Sequence, residues 1–171
     1  MSATDSLSLR PAERLATTGP CRLAATPEEI AWHYAIRRAV FVAEQAIFTD
    51  DDRDERDSMP GTLHVIGSAE ARPGGTVRFY PLDTDGLWQG DRLAVLPEFR
   101  HSFLGGALVR FAVSTAGRLG GHRMVAQIQV PNVRFFESLG WRRDGDIAAY
   151  HGVDHQPMDI TLTRLAGSRE S

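Results

Sequence analysis

The segment "RLAVLPEFRHSFLGGALV", Arg92–Val109, carries residue types suited to holding an anion. It reads as a strand, a short loop and a helix start marked by Gly105 and Gly106. A helix start leaves its first N–H groups unpaired, and glycines let a negative group come close to them. Arg100 adds positive charge to the loop. The same glycines would equally serve a helix packed tightly on a sheet, so the segment alone leaves both roles open. Proton transfer needs other groups. His155 is a candidate base, because imidazole titrates near neutral pH, although a histidine before a strand also serves as a simple hydrogen-bonding group. Tyr80 and Arg78 lie two apart on one strand, so they share a face, turned either to a substrate or to a sheet edge. Asn132 precedes a short helical pattern and suits its N-cap.

Two apparent metal motifs fail on spacing. Asp50, Asp52 and Asp54 alternate as in a calcium loop, but Glu55 stands where the loop needs glycine and Gly61 where it needs glutamate. A solvated loop is the expectation for this acidic run. Among His33, His64, His101, His122, His151 and His155, only His151 and His155 approach ligand spacing, on an expected turn, and no metal is expected.

These groups must be positioned by a recognisable order of elements. Thr26-Pro27-Glu28-Glu29 reads as a capping box with proline at the first helical position. Trp32, Ala35, Ile36, Ala39 and Val40 then recur with helical period, which predicts a helix running to about Gln45. "CRLAAT", "LHVIGSA", "TVRFYPL", "DRLAVL" and "MVAQIQV" read as strands, with "EARPGG" and "DTDGLWQG" as turns. Leu104, Leu108, Phe111, Ala112 and Leu119 predict a second long helix ending near Gly120-Gly121. "PNVRFFESLG" reads as a short helix, and "WRRDGD" and "QPMDITL" as a last strand pair. The order β-α-β-β-β-α-β-α-β-β implies an α/β fold, a mixed sheet with a parallel β-α-β core flanked by helices.

The chain has 171 residues and a formal charge of −3, which fits one domain without the basic footprint of a nucleic-acid partner. Residues 1–20 read as a flexible arm, 21–164 as the domain and 165–171 as a tail. The lone Cys21 excludes an internal disulfide and suits a reducing, cytoplasmic setting. No apolar run reaches membrane-spanning length, so no membrane partner is expected.

In this order the motifs resemble the GNAT superfamily of N-acetyltransferases over residues 21–164. The family's strand and loop read approximately x-V-x-P-x-x-R/Q-x-x-G-x-G/A, which Val95, Pro97, Arg100 and Gly105 match. Phe103 stands where the first glycine is usual, and its side chain is expected to turn into the protein, leaving its N–H free. "VPNVRFFESLGW" resembles the family's late segment. "RRAVFVAEQAIFTDDDRDERD" and "YHGVDHQPMDI" resemble the ElaA-like and nitrogen-starvation acetyltransferase group, with Asp154 where proline is usual.

The resemblance implies acetyl-CoA as co-substrate. Its pyrophosphate would rest on the backbone N–H groups of Arg100, His101, Ser102, Phe103, Leu104 and Gly105, with Gly106 following. Its pantetheine arm would pair with Leu93, Ala94 and Val95, near Gln129, Asn132 and Phe136. One N–H of that strand would stabilise the oxyanion. Phe136 stands where many relatives carry a tyrosine proposed as the acid, and it has no proton to give. Glu44, in "VFVAEQ", becomes a pocket-lining candidate base, beside His155 and Tyr80. The acidic run gains an alternative role as a rim attracting a cationic amine. The implied activity is direct acetyl transfer to a small amine, with Cys21 badly placed for a covalent intermediate and a homodimer as candidate assembly. Two alternatives stand beside it: a non-catalytic acyl-CoA sensor or partner-binding domain, and an acyl-homoserine-lactone-synthase-like enzyme using S-adenosylmethionine. The Arg100–Gly105 loop argues against the second.

Overall fold

Apolar alternation and helical period resolve, in the computed structural model, into β1 (Cys21–Leu23), α1 (Pro27–Arg37), β2 (Leu63–Ala69), β3 (Arg72–Pro81), β4 (Leu87–Val95), α2 (Leu104–Arg118), β5 (Arg123–Gln129), α3 (Val133–Ser138), β6 (Arg142–Arg143), β7 (Ala148–Tyr150) and β8 (Val153–Thr161). The structure describes residues 19–163. The expected arm and tail fall outside these residues except for Gly19 and Pro20. The strands form one eight-stranded sheet in the order β1-β2-β3-β4-β5-β8-β6, with β7 also paired to β8. Among the described residues only β4 and β5 pair in parallel, joined by the α2 crossover; every other pairing there is antiparallel. The mixed α/β sheet with a parallel β-α-β centre is the expected architecture.

The capping box at Thr26 forms as read. Thr26 Oγ1 accepts from the Glu29 amide at 3.1 Å and Glu29 Oε2 accepts from the Thr26 amide at 3.2 Å. Past Arg37 the helix widens into a π-helical turn, Arg38–Glu44. Its buried stripe differs from the expected one. Ala35 and Ala39 are exposed, while His33, Ile36, Arg37, Val40 and Phe41 are buried. The helical period is intact but shifted, because the surface beneath α1 is polar and selects His33 and Arg37.

Two cores lie on opposite faces of the sheet. The larger one, under α2 and α3, holds Phe79, Leu104, Leu108, Met124, Phe136 and Trp141; the smaller holds Ile36, Val40, Phe41 and Ala94. The α2 stripe is Leu104, Leu108, Val109 and Ala112, whereas Leu119 is 45% exposed at the C-cap. This helix lies so close to the sheet that a Cβ on Gly67 would come within 2.7 Å of Leu104, and one on Gly75 within 2.7 Å of Leu108. "RPGG" is therefore part of β3 rather than a loop. The turn itself is Glu70-Ala71, both at positive φ (51° and 60°). Likewise Leu87–Gly90 continues β4, and the β7–β8 hairpin, turning at His151-Gly152, was not expected.

Candidate active site

Parallel pairing between β4 and β5 holds only from Leu87↔Arg123 to Gln89↔Val125. Beyond it the strands part, because β4 bulges. Thr76 pairs with Ala94 and Arg78 with Asp91, so Arg92 and Leu93 both face Val77, and Arg92 takes a left-handed φ of 51°. Strand β5 instead stays with β8 as far as Gln129↔His155. The gap is a cavity of about 230 Å³. Its walls come from both cores, with Phe41, Ile47 and Phe48 on one face and Val109, Ala112, Met124 and Phe136 on the other. The cavity therefore passes through the sheet where the parallel ladder opens. Gln129 Nε2 donates to Gln45 Oε1 at 3.0 Å and links its edge to the end of the π turn.

On the α1 face the cavity meets a buried ion cluster. The solvated-loop expectation holds for part of the acidic run: Asp50, Asp51 and Glu55 are exposed, but Asp52 is buried and Asp57 half-buried. Asp54 starts a 3-10 turn, Glu55–Ser58, and caps it reciprocally with Asp57. Asp52 and Asp57 turn inward, while Asp54, with its side chain 39% exposed, caps the cluster from the solvent side. Arg78, fully buried on β3, donates to both Asp91 oxygens at 2.7 Å and to Asp54 at 2.6 and 3.1 Å. Arg37, fully buried on α1, donates to Asp52 at 2.7 Å and to Asp57 at 2.6 and 3.1 Å. Arg92 donates to the Asp52 carboxylate at 3.0 Å and to its carbonyl at 2.9 Å. These bonds hold the bulged backbone in place. Asp52, Asp54, Asp57 and Asp91 set four carboxylates against three guanidiniums, leaving one surplus negative charge. Asp52 Oδ1 is buried without a hydrogen-bond partner among the described residues. Burial pushes the Asp54 and Asp57 carboxyls up, but the Arg78 and Arg37 guanidiniums outweigh it and hold both below the usual carboxylate range.

His33 closes this cluster from α1. Its Nδ1 donates to the Val65 carbonyl at 2.9 Å, and its Nε2 lies 3.3 Å from Arg37 Nη1 and 3.3 Å from His64 Nδ1. Burial drives its pKa down to about 3. The unfolded chain therefore takes up a proton as pH falls below about 6.5 that the folded chain refuses until about 3, and stability is lost across that window. Asp54 and Asp57, depressed in the fold, withdraw their share only below the ordinary carboxylate range. His33→Asn is expected to flatten the first limb, read as urea midpoints between about pH 7.5 and pH 4.5. An unchanged limb would remove His33 as its source.

The sequence-derived site residues divide between the cavity and its surroundings. Tyr80, Leu93, Gln129, Asn132, Phe136 and His155 line it. Glu44 does not; it pairs with Arg100, so two residues far apart in sequence and picked for separate roles meet each other. Tyr80 donates to Asp91 Oδ2 at 3.2 Å, and burial beside that carboxylate pushes its phenol well above the usual range, which disqualifies it as a base. Asn132 holds the N-cap position of α3 but makes no capping hydrogen bond. Ala94 faces the smaller core, and the Val95 carbonyl accepts from Arg100 Nε at 3.0 Å. His155 is 6% exposed; its Nδ1 donates to the Val153 carbonyl at 2.7 Å, so in the neutral ring Nε2 carries the lone pair. Both His151 and His155 pack on Tyr150, a cavity residue the sequence reading missed.

The loop amides alternate. Arg100 and Ser102 donate to Pro97 and Phe99 carbonyls, and Leu104 to Ser102 Oγ. Among the described residues, the N–H groups of His101, Phe103, Gly105 and Gly106 donate no hydrogen bond. Phe103 is 61% exposed rather than turned into the protein, yet its N–H is free as expected. Arg110 folds back over this helix start, 3.2 Å from where a Cβ on Gly106 would be. These groups suit a diphosphate. Cys21 is buried in β1 outside the cavity, and burial pushes its thiol up to about 11, against a nucleophilic role. Among the described residues, no group of three or more His, Cys, Asp or Glu is placed to hold a metal, and no helix is long and apolar enough to cross a membrane.

Residues 29–141 match the family model described as acetyltransferase (GNAT) family. A candidate acetyltransferase of Bacillus subtilis is 28% identical over 126 residues, covering 73% of this chain and 84% of that protein. A crystal structure of a candidate N-acetyltransferase from Lactobacillus plantarum superposes with a TM-score of 0.74 at 24% identity, over 83% of this chain and 97% of that one. Escherichia coli ElaA does so with a TM-score of 0.70 at 20% identity, over 79% and 91%.

Proposed function

Because this chain belongs to the acetyltransferase (GNAT) family, we propose that it transfers an acyl group from a coenzyme A thioester to the amine of a small molecule, by direct attack in a ternary complex. The observation that carries this reading is the opening between β4 and β5, with the ion cluster on its inner face and free amides in the loop and first helical turn that follow β4. The free N–H groups of His101, Phe103, Gly105 and Gly106, with Arg110, would hold the diphosphate. The edge of β4 that β5 leaves unpaired would take the pantetheine arm, and a strand N–H there would stabilise the oxyanion. Acetyl-CoA is the donor that the sequence resemblance implies.

The surplus carboxylate of the cluster draws a cationic amine into the cavity, where Asp54 and Asp91 line the wall. His155 Nε2 accepts the proton that the amine must lose before it attacks. Tyr150, packed on His155 with its hydroxyl unbonded among the described residues, can return a proton to the departing thiolate, the part that Phe136 cannot play. The buried single thiol supports a reducing, cytoplasmic setting.

A thiol-release assay with acetyl-CoA over a panel of amines and amino acids tests the reading. Coenzyme A is expected to raise the melting temperature, and at least one amine to produce free thiol. Stabilisation with no thiol from any amine would favour a sensor. Failure of both coenzyme A and acetyl-CoA to stabilise the protein would overturn the reading.

A further inference from the structure

We propose that the half of the cavity under α2 is an acyl-chain pocket, and that the preferred donor is a coenzyme A thioester of a medium-length acid, about six carbons, rather than acetyl-CoA. This rests on reading the β4–β5 opening as the thioester site. The walls of this half are Val109 and Ala112 from α2, Met124 and Ala126 from β5, Phe136 from α3, and Trp141. All six belong to the larger core and are at most 6% exposed. Protein cores are close-packed, so space left open among such residues is costly unless something fills it.

The size also argues for a chain. The cavity as a whole holds about 230 Å³, against the roughly 150 Å³ that suffices for benzene in an engineered core. An acetyl methyl, about the size of one water, would take up a small part of that whole. Ala112 on α2 and Ala126 on β5 are the two smallest of the six, and larger side chains at either would take up the space. A polar acceptor is not what this half is built for, because the carboxylates lie on the other face of the sheet.

One further observation points to a ligand. Trp141 Nε1 is buried with no hydrogen-bond partner among the described residues, and the ring, 4% exposed, lines the cavity. It is the one N–H among the six side chains. Burying an unpaired donor is unfavourable, a cost that the thioester carbonyl oxygen would relieve. The aliphatic wall thus takes the chain, and the indole N–H would be a second donor, beside the β4 amide, to the thioester carbonyl, the single oxygen of such an acyl group.

Equilibrium dialysis of the full chain against coenzyme A, acetyl-CoA, butanoyl-CoA and hexanoyl-CoA tests this. Hexanoyl-CoA is expected to bind at least about tenfold more tightly than acetyl-CoA, since each buried methylene adds to affinity. Hexanoyl-CoA should also alter tryptophan emission where coenzyme A alone does not, and Trp141→Phe should abolish that difference. Ala112→Phe is expected to cut the hexanoyl-to-acetyl affinity ratio by at least about tenfold; if that variant fails to fold, the series on the unaltered chain still decides. Acetyl-CoA binding as tightly as hexanoyl-CoA would overturn the acyl pocket and leave the thioester site standing. No binding by coenzyme A or any thioester would overturn both.

Discussion

Arg78→Met is expected to destabilise the fold by about 3–5 kcal/mol, the range seen when one partner of a buried ion pair is removed. The guanidinium is fully buried and bonds Asp54 and Asp91, with Asp57 at 3.1 Å. Methionine fills much of the volume, so the loss reports charge rather than a cavity. It leaves those carboxylates facing one another with only Arg37 and Arg92 to balance them. The double variant Arg78→Met, Asp91→Asn should recover part of the loss, because one stranded charge is then gone. Urea unfolding at neutral pH measures both. A loss under about 1 kcal/mol, the scale of an exposed pair, would mean that the cluster is hydrated and screened. The same experiment bears on function, because Arg92 and the bulge it stabilises depend on the loop that Arg78 anchors.

That cluster is also where sequence reading stops short. The central stretches of most strands and α2 were legible because each carries its own period, and Thr26–Glu29 because a cap is local; β7 was not read. The acidic run is different. The pairing of Asp52, Asp54 and Asp57 depends on Arg37, Arg78 and Arg92, which come from three other elements, and no local pattern within Asp50–Asp57 announces them. A signal did exist. Arg78 sits mid-strand in "TVRFY", and Arg37 lies on the stripe of Ile36, Val40 and Phe41, positions where an arginine needs a buried partner. The glycines misled in the opposite way. In "RPGG" they mark the closeness of α2 to β3, a tertiary fact that a local rule reads as a turn. In the α2 loop the alternation of engaged and free amides depends on Pro97, Phe99 and Ser102 as acceptors, which no loop motif specifies. Glu44 was singled out for a pocket, but its partner is Arg100, 56 residues away.

His155→Ala is expected to slow amine-dependent thiol release by about 10²–10⁴-fold, the usual contribution of a positioned base. The argument is geometric. His155 is held by its Nδ1 bond to Val153 and by the edge of Tyr150, at a ring separation of 5.5 Å, so Nε2 has one defined direction on a cavity wall. Of the three candidate bases, Glu44 is tied to Arg100 and Tyr80 to Asp91, which leaves His155 with an uncommitted acceptor. The loss should fall on kcat, with coenzyme A still raising the melting temperature, because the diphosphate groups lie elsewhere. The limb of the pH–rate profile that rises as the base loses its proton should vanish with the imidazole. His155→Gln, which can restore polarity but cannot take up a proton, should not rescue that limb. Tyr150→Phe should cost less, because coenzyme A thiolate leaves tolerably without an acid. A His155→Ala enzyme within about threefold of the unaltered rate, far short of a base's contribution, would assign proton removal to water. The ion cluster would then act on the amine through its field alone.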